Sequence, residues 1–353
     1  MAITTRIERE HTVSGHMPKR LVSALMATLV CALALFGLSG SAAAKTYAYV
    51  FNIGSGDVSI IDTDAQEVVD TVDAGLRVRW FSSRFFDGTL VWTVDANMNK
   101  AEVVVFDPWT LKTLKRIPIG KGPSFSVELT PDHRFAVAAA AGSNEVVVID
   151  TRTYEIVRRI PVGEFPCDLT LSRDGTLAYE PDRDQDTLSV IDWRSGTTKR
   201  TITFENGSRP RMLTLSPDAK RLWVEERETA KVSVYDTETF ERLAHLPVGK
   251  MPATNEFSPS GQYTIVTHMG DKVVKVFETD TFREVKTIEV GQSPVNSAFR
   301  PDGRYAYVTN RLSGTVSVIE TEGWTVAKTL KVGEKPFGIY LFDSTEGTMA
   351  GNR

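Results

Sequence analysis

The chain has 353 residues, of which 41% are hydrophobic and 24% are charged. This balance is typical of a globular protein with a large core, and it excludes disordered and fibrous classes. The formal net charge is −4, so the composition does not suggest the basic surface of a nucleic-acid-binding protein.

The N-terminal segment differs from the rest of the chain. Basic residues up to Arg20 precede an apolar run over 21–38, and small residues follow from Ser41 to Ala44. This order predicts an export signal peptide over 1–44, with cleavage before Lys45. A retained membrane anchor is the alternative, because the run is nearly long enough to span a bilayer. Translation from Met17 instead of Met1 would give a more typical leader.

The predicted mature chain is acidic and poor in cysteine. It keeps 37 Lys and Arg against 43 Asp and Glu, and Cys167 is its single cysteine. We therefore expect a periplasmic or secreted protein without a disulfide framework, with no nucleic-acid partner and no stable membrane insertion after cleavage. We also expect a monomer.

A glycine recurs along the chain at intervals of 42 to 45 residues. From Gly120 onward a proline follows each glycine by three residues, and a Ser or Asp opens a turn further on. Such a period indicates a repeat architecture. The glycines are Gly75, Gly120, Gly163, Gly207, Gly249, Gly291 and Gly333.

Each repeat is predicted to contain four short strands, called A to D in chain order. In the last repeat these are 295–299, 305–309, 315–319 and 326–332, where β-branched and aromatic residues alternate with polar ones. Four antiparallel strands in about 42 residues are the signature of a β-propeller blade. An Asp or Glu that ends strand C, such as Asp236, is predicted to cap the following turn.

The two ends of the predicted domain complement each other. Residues 47–50 match strand B with no strand A before them, and residues 335–342 match strand A with nothing after them. The C-terminal strand can therefore complete the first blade and remove an open sheet edge. The predicted fold is all-β: a seven-bladed propeller of four-stranded antiparallel blades over 45–342, followed by a tail over 343–353.

Three short motifs carry a family resemblance. Tyr307-Val-Thr-Asn310, Gly314-Thr-Val-Ser-Val-Ile319 and Arg300-Pro-Asp-Gly303 closely resemble the YVTN-type β-propeller repeat family. The resemblance implies an exported seven-bladed propeller, in a family mostly without an assigned reaction. Relatives by fold include lactonase-like propellers, the haem d1 propeller of nitrite reductases and propellers that accompany quinone-dependent dehydrogenases.

The B-to-C turns and D-to-A loops of a propeller share one face, here called the channel mouth. Loops at a concave mouth are where binding groups converge. The mouth is predicted to hold several arginines, which suit carboxylates and phosphates, and polar residues that end strand B. Each group also has an explanation other than ligand binding. The arginines could form surface ion pairs, the strand-B residues could form the following turn, and Trp80 could pack in the core. The predicted ligand-binding residues are Arg79, Trp80, Asp182, Arg183, Arg211, Glu226, His268, Asn310 and Arg311.

Motifs for catalysis are missing from the sequence. There is no Gly-x-Ser-x-Gly elbow and no glycine-rich phosphate loop, and Cys167 is predicted to be a buried small residue. His268 is the one histidine of the predicted domain expected near the mouth, so no catalytic residue and no metal site are predicted. A cation held by carboxylates stays open as an alternative, with Asp95, Asp182, Asp184 and Glu226 as the candidate ligands.

The sequence therefore favours an exported binding or scaffold protein that recognises a protein partner or a small anionic ligand at the channel mouth. The cofactor, if any, is unknown. Two alternatives remain: an accessory propeller of a periplasmic quinone- or haem-dependent redox system, and a lactonase-like metal-dependent hydrolase.

Overall fold

The computed structural model describes residues 45–73, 89–95, 97–108 and 110–343. The predicted export signal over 1–44, the tail beyond Asp343 and the two predicted binding residues Arg79 and Trp80 lie outside these ranges. The described residues form six four-stranded antiparallel sheets and one three-stranded sheet. This arrangement confirms the seven-bladed propeller.

The strands of blades 1 to 3 contain β-branched and aromatic residues whose inward side chains are buried. Blade 1 combines the C-terminal strand with three N-terminal ones, and blade 2 has three described strands. Their bounds are β1 Thr46–Asn52, β2 Asp57–Asp62, β3 Glu67–Val72, β4 Val91–Val94, β5 Lys100–Phe106, β6 Thr113–Lys121, β7 Val127–Leu129, β8 Phe135–Ala140, β9 Glu145–Asp150 and β10 Ile156–Pro161.

Among blades 4 to 7, blade 7 follows the predicted strand bounds within one residue at each strand end, whereas strand A of blade 4 has two residues. Their bounds, with the closing strand β27 last, are β11 Thr170–Leu171, β12 Leu177–Asp182, β13 Thr187–Asp192, β14 Thr197–Thr203, β15 Pro210–Leu215, β16 Arg221–Glu226, β17 Lys231–Asp236, β18 Arg242–Pro247, β19 Pro252–Phe257, β20 Tyr263–His268, β21 Val273–Glu278, β22 Glu284–Glu289, β23 Pro294–Phe299, β24 Tyr305–Asn310, β25 Thr315–Glu320, β26 Thr325–Lys331 and β27 Pro336–Asp343.

The A strands face the centre of the ring. In neighbouring blades they contact one another, as β15 does β19, β19 does β23 and β23 does β27. The outer D strands carry most of the exposed residues, as in β14 and β22. Among the described residues the helical elements are two short 3-10 turns, and no helix has the length and apolarity that crossing a bilayer requires.

The ring closes as the sequence predicts. Strand β27 pairs antiparallel with β1, and Tyr47 lies opposite Phe342 while Tyr49 lies opposite Tyr340. The rings of Tyr49 and Phe342 pack edge to face with centroids 4.4 Å apart. The first blade therefore has no unpaired inner edge, which is how a propeller avoids strand-to-strand aggregation.

Aspartates hold the turns on the face opposite the mouth. Asp218 accepts the Ser216 hydroxyl at 2.6 Å and the Lys220 amide at 3.1 Å, which fixes an A-to-B turn. Asp236 accepts the amides of Glu238 and Thr239 at 3.0 and 2.8 Å, which confirms the predicted cap of the C-to-D turn. These hydrogen bonds hold the pKa of both carboxyls below their usual value.

The repeated glycine has a steric cause. A Cβ at Gly291, which follows strand D of blade 6, would lie 2.6 Å from the Cβ of Asn310 in blade 7. Gly249 and Gly333 lie equally close to His268 and Asn52. These glycines therefore let the end of one blade lie directly against the end of strand B in the next blade. Gly207 differs: an added Cβ would have no atom within 4 Å, and its φ of +81° is the reason for glycine there.

Candidate functional site

Four predicted binding residues end strand B of successive blades, and all four are buried. The Asn310 side-chain amide donates to Thr315 Oγ1 at 3.1 Å and to Ser317 Oγ at 2.9 Å. Both partners belong to strand C of the same blade, so Asn310 ties two strands of its blade together. The four residues are Asp182, Glu226, His268 and Asn310.

Asp182 and Glu226 repeat this arrangement. Asp182 Oδ2 accepts the hydroxyls of Thr187 and Ser189 at 2.9 and 2.8 Å, and Ser233 donates to Glu226 Oε1. His245 Nε2 also lies 3.0 Å from that oxygen. The structure therefore places these carboxylates inside blades 4 and 5, with strand-C hydroxyls as partners in place of the backbone groups expected for a simple turn.

His268 lies inside blade 6. Its Nδ1 is 3.2 Å from the Val273 carbonyl oxygen, and burial lowers the pKa of the imidazole to about 4. The ring is therefore neutral at neutral pH, and the structure does not bring it together with the mouth arginines described below.

Arg183 lies at the mouth and is partly neutralised. Its guanidinium carbon is 3.5 Å from the centroid of the Phe165 ring, and two of its nitrogens donate to Asp184 at 2.8 and 2.7 Å. Arg209 donates to the same carboxylate at 2.6 Å. The hydrogen bonds from Arg183 and Arg209 lower the pKa of Asp184 to about 2. The ion-pair alternative therefore describes these two arginines.

Arg211 occupies an unusual position of the repeat. It directly follows the repeated proline, where the other described blades have a buried small or apolar residue. Its guanidinium carbon is 5.1 Å from the Phe125 ring centroid, its buried Nε has no hydrogen-bond partner among the described residues, and burial lowers its pKa. The equivalent residues are Ser124, Cys167, Ala253, Val295 and Phe337.

Arg227 directly follows strand B of blade 5, a position that holds Ile53 in blade 1 and Met269 in blade 6. Its Nη2 is 3.7 Å from the Met269 sulfur. Burial and then the positive charge of Arg211 lower the pKa of Arg227 to about 10. Within the part of the chain that the structure describes, neither Arg211 nor Arg227 forms a salt bridge, and the exposed Glu228 is the carboxylate that favours their charge.

An apolar cluster, here called the mouth floor, underlies these arginines. Arg183, Arg211 and Arg227, here called the mouth arginines, each contact one of its members. Cys167 belongs to the floor as a free, buried thiol whose pKa burial raises to about 11, which confirms the expectation of a buried small residue. The floor consists of Phe125, Ala141, Cys167, Met212, Val295 and Phe337, with Ile53, Phe165 and Met269 packed against it.

Three buried carboxyls near this region were not predicted from the sequence. Glu180 and Glu225 lie within strand B of blades 4 and 5, both are fully buried, and their oxygens have no hydrogen-bond partner among the described residues. Burial raises the pKa of both well above the usual value, and it raises the pKa of Asp168 to about 6 although Asp168 accepts the Leu213 amide at 3.1 Å. An acid in strand B, where blade 7 has Val308 or Thr309, is the sequence signal that could have revealed Glu180 and Glu225.

The candidate metal ligands named from the sequence do not come together. Asp95 pairs with Arg116 at 2.6 Å, Asp184 pairs with Arg183 and Arg209, and Asp182 and Glu226 are bonded inside their blades. Over the described ranges, no group of three His, Cys, Asp or Glu has a geometry that could hold a metal ion. Arg311, the remaining predicted residue, lines a cavity between blades 7 and 1 whose lining includes none of the mouth arginines.

The mouth thus presents three guanidinium groups on an apolar floor, two of them without a carboxylate partner among the described residues. Like charges that are partly removed from water repel one another, and an anion that receives their hydrogen bonds would relieve this repulsion. Guanidinium groups in this arrangement are suited to donating hydrogen bonds to an anion.

The family model for YNCE-like beta-propellers matches residues 42–303. The chain belongs to the YNCE-like beta-propeller family. The YVTN-type label remains a resemblance of the repeats. A comparison with curated protein sequences finds no match.

Solved structures similar to this YNCE-like propeller show the same fold. Hydrazine synthase from Kuenenia stuttgartiensis matches with a TM-score of 0.67 and 22% identity over 77% of this chain and 92% of that one. The periplasmic gluconolactonase of Pseudomonas aeruginosa matches with a TM-score of 0.66 and 18% identity, over 84% of this chain and 98% of that one. Dihydro-haem d1 dehydrogenase NirN matches with a TM-score of 0.61 and 17% identity, over 81% of this chain and 63% of that one.

Proposed function

We propose that this propeller is an exported binding protein that holds a small anionic ligand, a carboxylate or phosphate compound, at the channel mouth. Arg211 and Arg227 donate to the ligand, and Arg183 completes the cationic rim. The leader-like sequence over 1–44 and the periplasmic location of a similar gluconolactonase support the exported location.

A single observation carries this proposal: Arg211 places a guanidinium where the five other blades described at this position have a buried small or apolar residue. A buried cation without a partner costs free energy, so the position is explained when a ligand supplies the missing acceptor. The bidentate donors of arginine match the two oxygens of a carboxylate or phosphate.

The proposal is tested by thermal unfolding of the mature chain with citrate, gluconate or inorganic phosphate at low ionic strength. An anion that binds the folded state raises its stability by about 2.7 kcal/mol at one hundred times its dissociation constant. We expect at least one of these anions to raise the melting temperature of the wild type, and the Arg211→Gln/Arg227→Gln variant to lose that rise. Without ligand the variant should unfold at the same or a higher temperature, because the substitutions remove mutual repulsion.

Arg304→Gln is the matched control, because Arg304 is an exposed arginine that pairs with Asp302 on the opposite face. It should keep the full response to anions. The proposal fails if no anion stabilises the wild type more than the Arg211→Gln/Arg227→Gln variant, or if Arg304→Gln loses the response equally.

The redox-accessory alternative has one observation in its favour, the apolar floor beneath the mouth arginines. A planar cofactor that bears carboxylates would place its ring on such a floor and its charges on the guanidiniums. NirN, similar in fold, is by name a dihydro-haem d1 dehydrogenase. A shift of the haemin absorption band on mixing with the wild type, absent with Arg211→Gln/Arg227→Gln, would favour this ligand class over a small acid.

A further inference from the structure

The cavity that Arg311 lines lies on the mouth face, where the ring closes. It has a volume of about 440 Å³, and its lining residues come from the B-to-C turn of blade 7, the connection from β26 to β27, and Ser55 in blade 1. We call it the seam groove. It is separate from the site of the proposed function, because none of the mouth arginines lines it.

Backbone hydrogen bonds hold the walls of the seam groove. Gly54 donates to the Glu334 carbonyl at 2.9 Å, and Val332 donates to the Gly314 carbonyl at 3.0 Å. The Glu334 amide in turn donates to Ser55 Oγ at 3.0 Å. Hydrogen bonds between blades 7 and 1 and within blade 7 therefore hold the walls of the groove.

The seam groove carries unpaired positive charge. Arg311, Lys331 and Lys335 line it, and Glu334 is its one acidic lining residue. None of the three cations has an ion-pair partner in the described ranges, and the buried Nε of Arg311 has no hydrogen-bond partner there. An excess of unpaired cations on an acidic protein attracts a negatively charged partner.

The cavity on the opposite face shows that such unpaired charge is not general. That cavity, of about 490 Å³ between blades 6 and 7, also contains an arginine, Arg304. There Arg304 donates to Asp302 at 2.9 Å, and Asp302 lines the same cavity. In that cavity Asp302 neutralises Arg304, whereas the three cations of the seam groove have no ion-pair partner in the described ranges.

An exposed leucine adds a second, independent feature. Leu312 is 60% exposed and lines the seam groove. The equivalent turn position has glycine or an acid in five other blades and Asn97 in blade 2, so the leucine is not required by the fold. A single exposed apolar side chain is common on protein surfaces, but Leu312 lies in the same groove as three unpaired cations. The equivalent residues in the five other blades are Gly54, Gly142, Asp184, Glu228 and Gly270.

We propose that the seam groove binds an acidic segment of a partner protein that carries an apolar side chain. Its carboxylates lie against Arg311, Lys331 and Lys335, and its apolar side chain covers Leu312. A small anion would satisfy the cations but leave the leucine in water, which is why a peptide segment fits the two features together.

The probe that tests this is a fluorescein-labelled peptide of alternating Asp, Glu and Leu, compared with a peptide in which Ser replaces each Leu. Fluorescence anisotropy should show that the wild type binds the Leu peptide more tightly, and that added salt weakens binding. Lys331→Gln/Lys335→Gln should weaken it about tenfold or more. Leu312→Ser should weaken binding of the Leu peptide and leave binding of the Ser peptide unchanged.

Lys328→Gln is the matched control. Lys328 lies in β26, as Lys331 does, but it lies outside the groove and pairs with Glu67. The Lys328→Gln variant should bind like the wild type, and so should Arg211→Gln/Arg227→Gln, which separates this proposal from the proposed function. The proposal is overturned if Lys328→Gln weakens binding as much as the groove variant does, or if inorganic phosphate at equal ionic strength displaces the peptide. It is also overturned if sedimentation shows that the groove residues hold a second copy of this chain.

Discussion

Blade 7 and blades 4 and 5 use the same repeat in different ways. In blade 7 the second half of strand B is Val308, Thr309 and Asn310, and Thr309 donates to the Phe337 carbonyl at 2.9 Å in the next blade. In blades 4 and 5 the positions of Val308 and Thr309 hold Glu180 and Glu225, respectively, both buried and without hydrogen-bond partners in the described residues.

The difference separates stability from chemistry. The described residues of blade 7 bury no carboxyl: the buried polar side chains are neutral, Thr309 and Asn310 are hydrogen-bonded, and apolar residues pack around them, so the blade contributes stability. Blades 4 and 5 contain buried carboxyls and, at the mouth, unpaired arginines, all of which cost free energy. Residues that cost stability and recur in one region make that region a candidate for function.

The largest effect is expected when blade 7 receives the glutamate that blade 4 has at the position of Val308. Val308→Glu should destabilise the protein by about 5 kcal/mol, because a carboxylate would replace a fully buried apolar side chain in a closely packed cluster. Urea unfolding at neutral pH measures this. Val308→Gln, which buries a neutral group of the same size, should cost clearly less, and an equal cost would show that volume rather than charge decides.

The contact between blades 6 and 7 gives the next largest effect. Gly291→Ala should cost about 1–3 kcal/mol, because its Cβ would lie 2.6 Å from the Asn310 Cβ and the two blade ends must separate. At Gly323 the nearest atom to a new Cβ is 3.8 Å away. Gly323→Ala should therefore be neutral or slightly stabilising, and thermal unfolding of the two variants side by side checks the steric origin of the repeat.

The reverse substitution in blade 4 should give the smallest effect. Glu180→Met should stabilise the protein by about 1–2 kcal/mol at neutral pH, because it removes a buried carboxylate at nearly constant volume. Burial raises the pKa of Glu180 above 4.5 in the folded state, so the carboxyl imposes no ionisation cost below pH 4.5. Stability is then lost as the pH rises from 4.5 through the folded pKa.

The gain from Glu180→Met should accordingly be larger at about pH 7 than at about pH 4. Urea unfolding at both values measures it, with Glu180→Gln as the variant that removes the charge but keeps the polar group. A gain of the same size at both values would mean that folding does not raise the pKa of Glu180.

Much of the fold could be predicted because each element is determined locally. Alternation of β-branched residues predicts the strands, aspartates such as Asp218 and Asp236 predict the turns they hold, and the Gly-x-x-Pro landmarks set the period. The match between 47–50 as strand B and 335–342 as strand A predicted the closure, which β27 and β1 confirm. Each of these features depends on residues that are close together in the sequence, so a short stretch is enough to predict it.

The site could be predicted only in part. Arg183 and Arg211 were expected at the mouth and lie there, but Asp182, His268 and Asn310 are bonded inside their blades, which their positions at strand ends did not reveal. Arg79 and Trp80 lie outside the described residues, so their predicted role stays a prediction.

By itself, the sequence determined the repeat, the all-β class and the way the ring closes, because strand period, turn residues and spacing act within one blade. Only the tertiary structure decided which polar groups find partners. Arg211 and Arg227 meet on a shared apolar floor, Glu180 and Glu225 are removed from water, and the seam groove forms where the last blade joins the first. Burial and hydrogen-bond pairing depend on residues of neighbouring blades, so the sequence of a single repeat does not predict them.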